Sequence, residues 1–434
     1  MQGQAVRVTY LLTGLADLVV YGRASSAQEA ALWRLWRNMM SRKASVTEEV
    51  GAENQWEGFA RTDYSLPDGH DEQGGCYNET CAGLGILMLA DRLQLLGLNG
   101  ASVTDLAERV LYNSSVTCGM SLDGVLFTYE NRLASSPQEP CRRFPYFDCL
   151  CCPPNVLRTL AVISGYLWSP IDGMNTVAIH HFFSGTLRHE ELQVEMRTEY
   201  PLDGKVTLSV RGTSIVKVRI PSWSSCRPNN YDARTQYATF GAGHHQFDLD
   251  VKSRLIFSHR LTYKRAIALA FGPLIYCLED VNNAFEAMTP GQGHFKDLTI
   301  EKSILDALKC VNTVGPDGCP VVLLHAPGVG RRINLPSGCQ TTFAELDPAV
   351  GNAPTLDERR LDLVFVPYYF RANRKEQSEG SQMRVWIQDR GCFAACHKPI
   401  RDFTNTEKKQ EYSLSSVASV AQSAARHKPR CFIM

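Results

Sequence analysis

Cys149-Leu150-Cys151-Cys152-Pro153-Pro154-Asn155 decides how this chain is read. The two prolines suit the opening of a helix, where the first N–H groups have no intrahelical acceptor and proline has no N–H to lose. Val156, Leu157, Leu160, Ala161 and Ile163 then recur at helical spacing. Adjacent thiols therefore stand at a helix N-terminus, where free N–H groups and the helix dipole favour an anion and so a thiolate.

Upstream of this stretch the pattern stays helical. Ser26-Ala27-Gln28-Glu29 has capping-box spacing and precedes Ala30, Ala31, Leu32, Leu35 and Trp36. Leu84, Leu87, Leu89, Leu93, Leu95 and Leu96 mark a second helix, headed by Glu79-Thr80-Cys81. Leu106, Val110 and Leu111 mark a third, opened by Ser102 and Asp105. Beyond about residue 175 the period falls to two, as in Val206, Leu208 and Val210 and in Val216, Val218 and Ile220. Ile267, Leu269 and Phe271 continue it with small Ala268 and Ala270 between them, followed by Leu274-Ile275-Tyr276. The expected fold is mixed, α then β: a helical region 1–172, antiparallel β-sandwich structure over 173–300 and a second β region over 301–388. The Ser-, Ala-, Lys- and Gln-rich stretch 389–434 reads as a flexible tail.

Composition narrows the function classes. Lys plus Arg and Asp plus Glu both number 45, so the chain is neutral, which argues against nucleic-acid binding or a polybasic membrane surface. With 44% hydrophobic and 21% charged residues it is not a disordered chain. No run approaches the ~18 apolar residues of a membrane span. The opening MQGQAVRVTYLLTG lacks the features of a signal peptide, so the expected location is cytoplasmic and the fifteen cysteines are expected to be reduced. The end, Cys431-Phe432-Ile433-Met434, fits a prenylation motif behind Arg426, Lys428 and Arg430, against the simpler reading of an unmodified, disordered end.

Glu79, Cys81, Cys151 and Cys152 together supply one carboxylate and three sulfurs, the kind and number of ligands that zinc takes tetrahedrally. The pairs are 70 residues apart, unlike a zinc finger, so only the fold can assemble them. The competing reading is buried structural cysteine, which is common and which suits Cys118, Cys226, Cys277 and Cys310.

A series of motifs in order makes the chain recognisable. They are Gly3-Gln4-Ala5-Val6-Arg7, Trp56-Glu57-Gly58-Phe59, Asp63-Tyr64-Ser65-Leu66-Pro67-Asp68 and Tyr77-Asn78-Glu79-Thr80-Cys81-Ala82. Leu111-Tyr112-Asn113, Phe127-Thr128-Tyr129-Glu130-Asn131 and Cys151-Cys152-Pro153-Pro154-Asn155 follow. The β part adds Tyr200-Pro201, Arg219-Ile220-Pro221-Ser222-Trp223, Gly272-Pro273-Leu274-Ile275-Tyr276 and Pro367-Tyr368-Tyr369. Over about 1–388 the sequence resembles glycoside hydrolase family 127, the β-L-arabinofuranosidase-like proteins. The resemblance implies an (α/α)6 six-hairpin barrel followed by β-sandwich domains. It implies zinc held by Glu79, Cys81, Cys151 and Cys152, with Cys151 as nucleophile and Glu57 as acid/base; Asp63, on the wrong side of the Tyr-x-Leu-Pro element, is only a fallback acid. Tyr129 and the position of Gln4 would contact the sugar. Without the resemblance, Tyr129 reads as a core aromatic and Glu57 as a solvated loop carboxylate.

The sequence also departs from that family. Six helix pairs need roughly 300–400 residues, yet only about 170 helical residues precede the strands. The resemblance thus reaches the C-terminal half of the barrel and lacks the N-terminal half, which leaves an apolar face and an expectation of self-association. Gln4 replaces a histidine, an insertion runs from Gly69 to Gly75, and Glu48-Glu49 replaces a Gly-Gly pair. The implied function is a retaining, zinc-dependent glycosidase acting on β-L-arabinofuranosides or related furanosides. The alternatives are a non-hydrolytic relative that keeps the zinc site, or a module that binds glycan or protein.

Overall fold

The computed structural model describes residues 1–390 except 70–75, 98–100, 115, 172–175, 214, 263, 284–294, 335–354 and 375–378. The expected tail, the Cys431 motif and most of the Gly69–Gly75 insertion lie outside the described residues.

Among the described residues the first 170 form five helices longer than two turns and little regular strand. They are α1 (Ala5–Val20), α2 (Ser26–Arg42), α3 (Thr80–Leu95), α4 (Ala101–Asn113) and α5 (Cys152–Ala161), followed by one turn at α6 (Ser164–Leu167). The capping box on α2 sits one residue before the expected place. Ser25 is the cap, its hydroxyl accepting from Gln28 N and its own N–H donating to Gln28 Oε1 at 2.8 Å. Helix α3 has apolar or small residues on nearly every side and is buried along most of its length, so it is the axis on which α1, α4 and α5 pack. A glycine makes the closest of these contacts possible. A Cβ on Gly85 would lie 2.1 Å from Thr9 Oγ1 on α1.

The rest of the chain is β. Its first strands are β1 (Trp168–Ile171), β2 (Thr176–Ile179), β3 (Gly185–His189), β4 (Leu192–Thr198) and β5 (Lys205–Arg211). They continue as β6 (Ile215–Arg219), β7 (Tyr231–Asp232), β8 (Tyr237–Phe240) and β9 (Gly243–Asp248). A five-stranded sheet in the order β1-β2-β6-β8-β7 and a four-stranded sheet β3-β4-β5-β9 share one apolar core. Within the first, β2 and β6 pair in parallel, so the structure is not antiparallel throughout.

A second β unit comprises β10 (Ser253–Phe257), β11 (Ala266–Phe271), β12 (Leu274–Glu279), β13 (Leu298–Ile300) and β14 (Lys309–Val314). It is completed by β15 (Pro320–Asn334), β16 (Thr355–Pro367), β17 (Met383–Arg384) and β18 (Ile387–Asp389), with a single turn, α7 (Ile304–Ala307), before β14. All nine strands belong to one sheet, and that sheet runs across residue 300, because β13 pairs with β15 and, in parallel, with β18. The two β regions expected to meet at 300 therefore contribute strands to one sheet. The alternation in β11 has a physical use. Ala266, Ala268 and Ala270 enter a core with Val46, Cys118 and Leu133 of the helical part, while Ile267, Leu269 and Phe271 enter the core of the β unit. Small residues on one face let the helical part approach closely.

Buried polar groups tie the layers together. Arg219 on β6, fully buried, donates to Asp105 of α4 at 2.6 Å, to Glu108, and to the His180 carbonyl at 2.7 Å. Asn113 at the end of α4 donates to Pro273 O and accepts from Ile275 N. Lys264 and Arg384 of the second β unit both reach Asp68.

The Glu48-Glu49 pair is folded inward. Glu48 takes φ +63°, a region where glycine is at ease, and pairs with Arg109 at 2.7 Å. Glu49 is fully buried and accepts from Ser114 Oγ at 2.6 Å and Thr47 Oγ1 at 3.0 Å. Burial pushes Glu48 up to about 7 and Glu49 up to about 8, from an ordinary 4.5. A carboxyl whose pKa is raised on folding holds its proton more tightly in the native state. Its contribution is thus whole below about pH 4.5 and is lost as pH rises through 7 and 8. Glu49→Gln, which mimics the protonated form, should be close to neutral at pH 5 and raise Tm by about 2–4 °C at pH 9. Thermal melts at both pH values check this, and an equal shift at the two would sink it.

Candidate metal centre and active site

Two helix starts converge here. Glu79 caps α3 and Cys81 lies in its first turn; Cys151 caps α5 and Cys152 is its first residue. One ligand atom from each of Glu79, Cys81, Cys151 and Cys152 lies within 4.8 Å of the others. Cys81 Sγ is 3.4 Å from Cys152 Sγ, Cys151 Sγ is 3.6 Å from Cys152 Sγ, and Glu79 Oε1 is 3.5 Å from Cys151 Sγ. None of these sulfurs is in a disulfide, and every described cysteine is a free thiol.

Local pairing explains how these residues arrive together. The segment around Tyr129 runs beside the start of α3. Thr80 N donates to Tyr129 O, Thr80 Oγ1 to Thr128 O, and Asn131 N to Asn78 O. Tyr129 is thereby held with its hydroxyl 3.3 Å from Cys151 Sγ. It is half-buried, not a core aromatic.

The four groups crowd negative charge into a desolvated place. Burial, aided by Cys151 and Glu57, pushes Glu79 up to about 8. The sulfurs divide their protons unequally. Hydrogen bonds from Cys152 and Cys81 hold Cys151 well below the ordinary thiol range, while contact with Cys151 pushes Cys81 up to about 12 and Cys152 further. Glu79 Oε2 is buried without a hydrogen-bond partner in the described structure. A buried carboxylate with one oxygen beside the sulfurs of Cys151 and Cys152 and the other unsatisfied fits a cation: the group can hold a metal ion.

Glu57 stands on a tight turn next to this centre. It takes φ +57°, uncommon for a residue with a side chain. The turn is closed by Trp56, whose ring lies over Gly58 so closely that a Cβ there would be 2.4 Å from it. Backbone bonds Ala5 N to Glu57 O at 2.8 Å and Phe59 N to Gly3 O at 3.1 Å dock the turn on the start of α1. As a result Gln4 Nε2 donates to Glu57 Oε2 at 2.9 Å, and Tyr77 OH donates to Glu57 Oε1 at 2.9 Å. The rings of Tyr77 and Tyr129 meet edge to face with centroids 6.1 Å apart. Gln4, Glu57, Tyr129 and Cys151 are thus half-buried groups in a continuous chain of contacts, with Glu79, Cys81 and Cys152 buried behind them.

Asp63 lies elsewhere in polar company, paired with Arg42 at 3.0 Å and Lys43 at 3.1 Å. Two contributors carried no assigned role in the sequence reading. Tyr77 positions Glu57, and Asn155 donates to Cys81 Sγ at 2.9 Å. Both lie inside motifs quoted above. Their polar side chains beside a candidate ligand were the available signal.

Known proteins share the sequence and fold of this chain. A sequence model described as β-L-arabinofuranosidase, glycoside hydrolase family 127 catalytic domain, matches residues 1–165. One described as the family 127 C-terminal domain matches 258–388. A curated relative, the non-reducing end β-L-arabinofuranosidase of Bifidobacterium longum, is 32% identical over 315 residues, covering 65% of this chain and 46% of the relative. The chain therefore spans about half the length of that relative. Among solved structures, a family 127 β-L-arabinofuranosidase from Geobacillus stearothermophilus superposes with a TM-score of 0.73 at 24% identity, covering 89% of this chain and 61% of the other. A second family 127 β-arabinofuranosidase gives 0.70 at 24% identity, with 89% and 60% covered; at that identity both speak for the fold. Two family models matched in order, a curated relative 32% identical over 315 residues, and this fold place the chain in glycoside hydrolase family 127.

Proposed function

We propose that the chain carries the chemistry of a retaining glycosidase for β-L-arabinofuranosides or related furanosides, with Cys151 as nucleophile and Glu57 as acid/base. The observation that carries this reading is the cluster of Glu79, Cys81, Cys151 and Cys152, with the buried oxygen of Glu79 left unpartnered. Zinc suits one carboxylate and three thiolates, and when bound it keeps its thiols deprotonated near neutral pH. Cys151 is the one sulfur of the three that is not fully buried, so it is the one a sugar can reach. Its thiolate attacks the anomeric carbon as the glycosidic C–O bond breaks, and Glu57 gives its proton to the leaving oxygen. Glu57 then takes a proton from water, which attacks the same carbon, breaks the C–S bond and returns the thiolate. Two inversions give net retention. Gln4 and Tyr77 hold both oxygens of Glu57, and Tyr129 lies where a sugar hydroxyl would meet its phenol.

For the architecture we propose that residues 1–172 correspond to the C-terminal half of an (α/α)6 barrel. The two sheets up to residue 248 then form a β-sandwich, and the strands from 253 to 389 form a second β unit. The alternative reading, a relative that keeps the metal centre without hydrolysing furanosides, draws on Gln4 and Glu48-Glu49, where the chain departs from the motifs. Zinc without turnover would identify it. Among the described residues no helix is long and apolar enough to cross a membrane.

Purified under reducing conditions without chelator, the protein should contain about one zinc per chain. Cys152→Ser should lose metal and stability together, because binding energy at such a site is folding energy. Elemental analysis that finds no zinc in the wild type would refute the centre.

The two catalytic roles separate by substitution. With a chromogenic β-L-arabinofuranoside, Cys151→Ser should abolish turnover. Glu57→Gln should lower it by roughly 10²–10⁴-fold while retaining zinc. Full activity without Cys151, or loss of zinc from Glu57→Gln, would overturn the assignment.

Self-association is also proposed. Leu11 and Leu18 of α1 are 71% and 44% exposed, and Leu157 of α5 and neighbouring Val162 are each 51% exposed, a large apolar display for two neighbouring helices. Sedimentation should show a species larger than one chain, and Leu11→Glu with Leu157→Glu should shift it to the monomer. A monomeric wild type would exclude it.

A further inference from the structure

The three sulfurs of the centre are chemically alike, yet the proposed reaction needs one of them to act and two to stay in place. Exposure explains part of the difference. A hydrogen-bond chain around Cys81 explains more. Asn155 Nδ2 lies 2.9 Å from Cys81 Sγ and 3.2 Å from the hydroxyl of Tyr10 on α1. On its other side, Asn155 Oδ1 accepts from Arg158 Nη2, one helical turn further along α5.

The order of this chain is chemically forced. A guanidinium has only donors, so the atom that Arg158 meets must be the amide oxygen. The amide NH2 then has to face Cys81. A fixed N–H donor 2.9 Å from a buried sulfur engages that sulfur as an acceptor and fixes its position. The bond also draws charge from that sulfur and weakens it as a nucleophile. No amide donor among the described hydrogen bonds reaches Cys151, whose non-sulfur contacts are Tyr129 and Glu79.

We propose that Asn155, oriented by Arg158, is a positioning residue that holds Cys81 in place as the spectator sulfur and leaves Cys151 as the reactive one. This rests on the metal-centre reading above and adds a division of labour among its sulfurs. Asn155 touches neither sugar nor reacting carbon in this scheme; it acts through Cys81.

Cobalt(II) exchanged for zinc gives the test, because thiolate-to-cobalt charge-transfer absorption reports the sulfurs directly and needs no turnover. The wild type should show a charge-transfer intensity consistent with three thiolates. Asn155→Asp puts an acceptor where the donor was. It should move the band to longer wavelength and weaken cobalt affinity by roughly 10–100-fold, the usual effect of losing an outer-shell partner. Arg158→Ala, at an exposed helical position and with no donor left to meet Asn155 Oδ1, should fold normally and shift the band in the same direction by less, since the amide is then free to turn over. A wild type without the three-thiolate band would sink the metal centre itself, and with it this proposal. A wild-type band that both variants reproduce, at unchanged affinity, would leave the centre standing and overturn the role of Asn155. Should Asn155→Asp fail to fold, the Arg158→Ala band decides alone: a shift supports the proposal and no shift refutes it.

Discussion

Four potential anions held within 4.8 Å of one another, three of them buried, set the terms for this structure. Desolvated like charges repel strongly, so such a cluster must hold its protons or hold a cation. Full protonation leaves Glu79 Oε2 with nothing to bond, and buried polar atoms are seldom left so. A cation satisfies all four at once. Both helices that bring the ligands begin at the cluster, which adds the positive ends of two helix dipoles. The packing behind it answers to the same demand. Gly85 lets α1 lie against α3, and α1 in turn supplies Gln4 and Tyr10 at the edges of the centre.

The site has a buried back and a reachable front, and different physics holds each. At the back, Glu79, Cys81 and Cys152 are fixed by burial on helix starts. At the front, Glu57 sits in a left-handed conformation that costs on the order of 1 kcal/mol or more and persists only because its surroundings determine it. Those surroundings are specific: the backbone bond from Ala5, the ring of Trp56 over Gly58, and donors from Gln4 and Tyr77 to the two carboxylate oxygens. A carboxylate with both oxygens engaged keeps one orientation, as a group that must hand a proton to a defined point requires.

The β units give the helical layer something rigid to rest on. Arg219, Asn113 and Asp68 each join elements from opposite sides of a layer boundary through buried hydrogen bonds. Removing one partner of the ion pairs among them, Arg219 with Glu108 or Lys264 with Asp68, costs about 3–5 kcal/mol, since the other is left buried and unpaired. The alanines of β11 leave room for Val46, Cys118 and Leu133 of the helical part in the core they share.

Short-range features were legible in the residues alone. Proline at a helix start, period-two alternation in β5 and β11, and a continuous apolar helix at α3 all follow from local hydrogen bonding and from which face is buried. Even there the box on α2 read one residue late. Ser25 and Ser26 are both good caps, and only the extended backbone of Ser25 distinguishes them. The ligand types were legible too, as were Glu57 and Tyr129 once the motif order was recognised. Pairing partners were not. That β2 joins β6 in parallel, and that β13 reaches β15 and β18 across residue 300, depends on the path of the chain between them. The same holds for Tyr77 on Glu57 and Asn155 on Cys81, contacts that span 20 and 74 residues. Local propensity acts over a few residues, so it sets what each segment becomes. Which segments meet is settled by burying their apolar faces together, and that sum is taken over the whole fold.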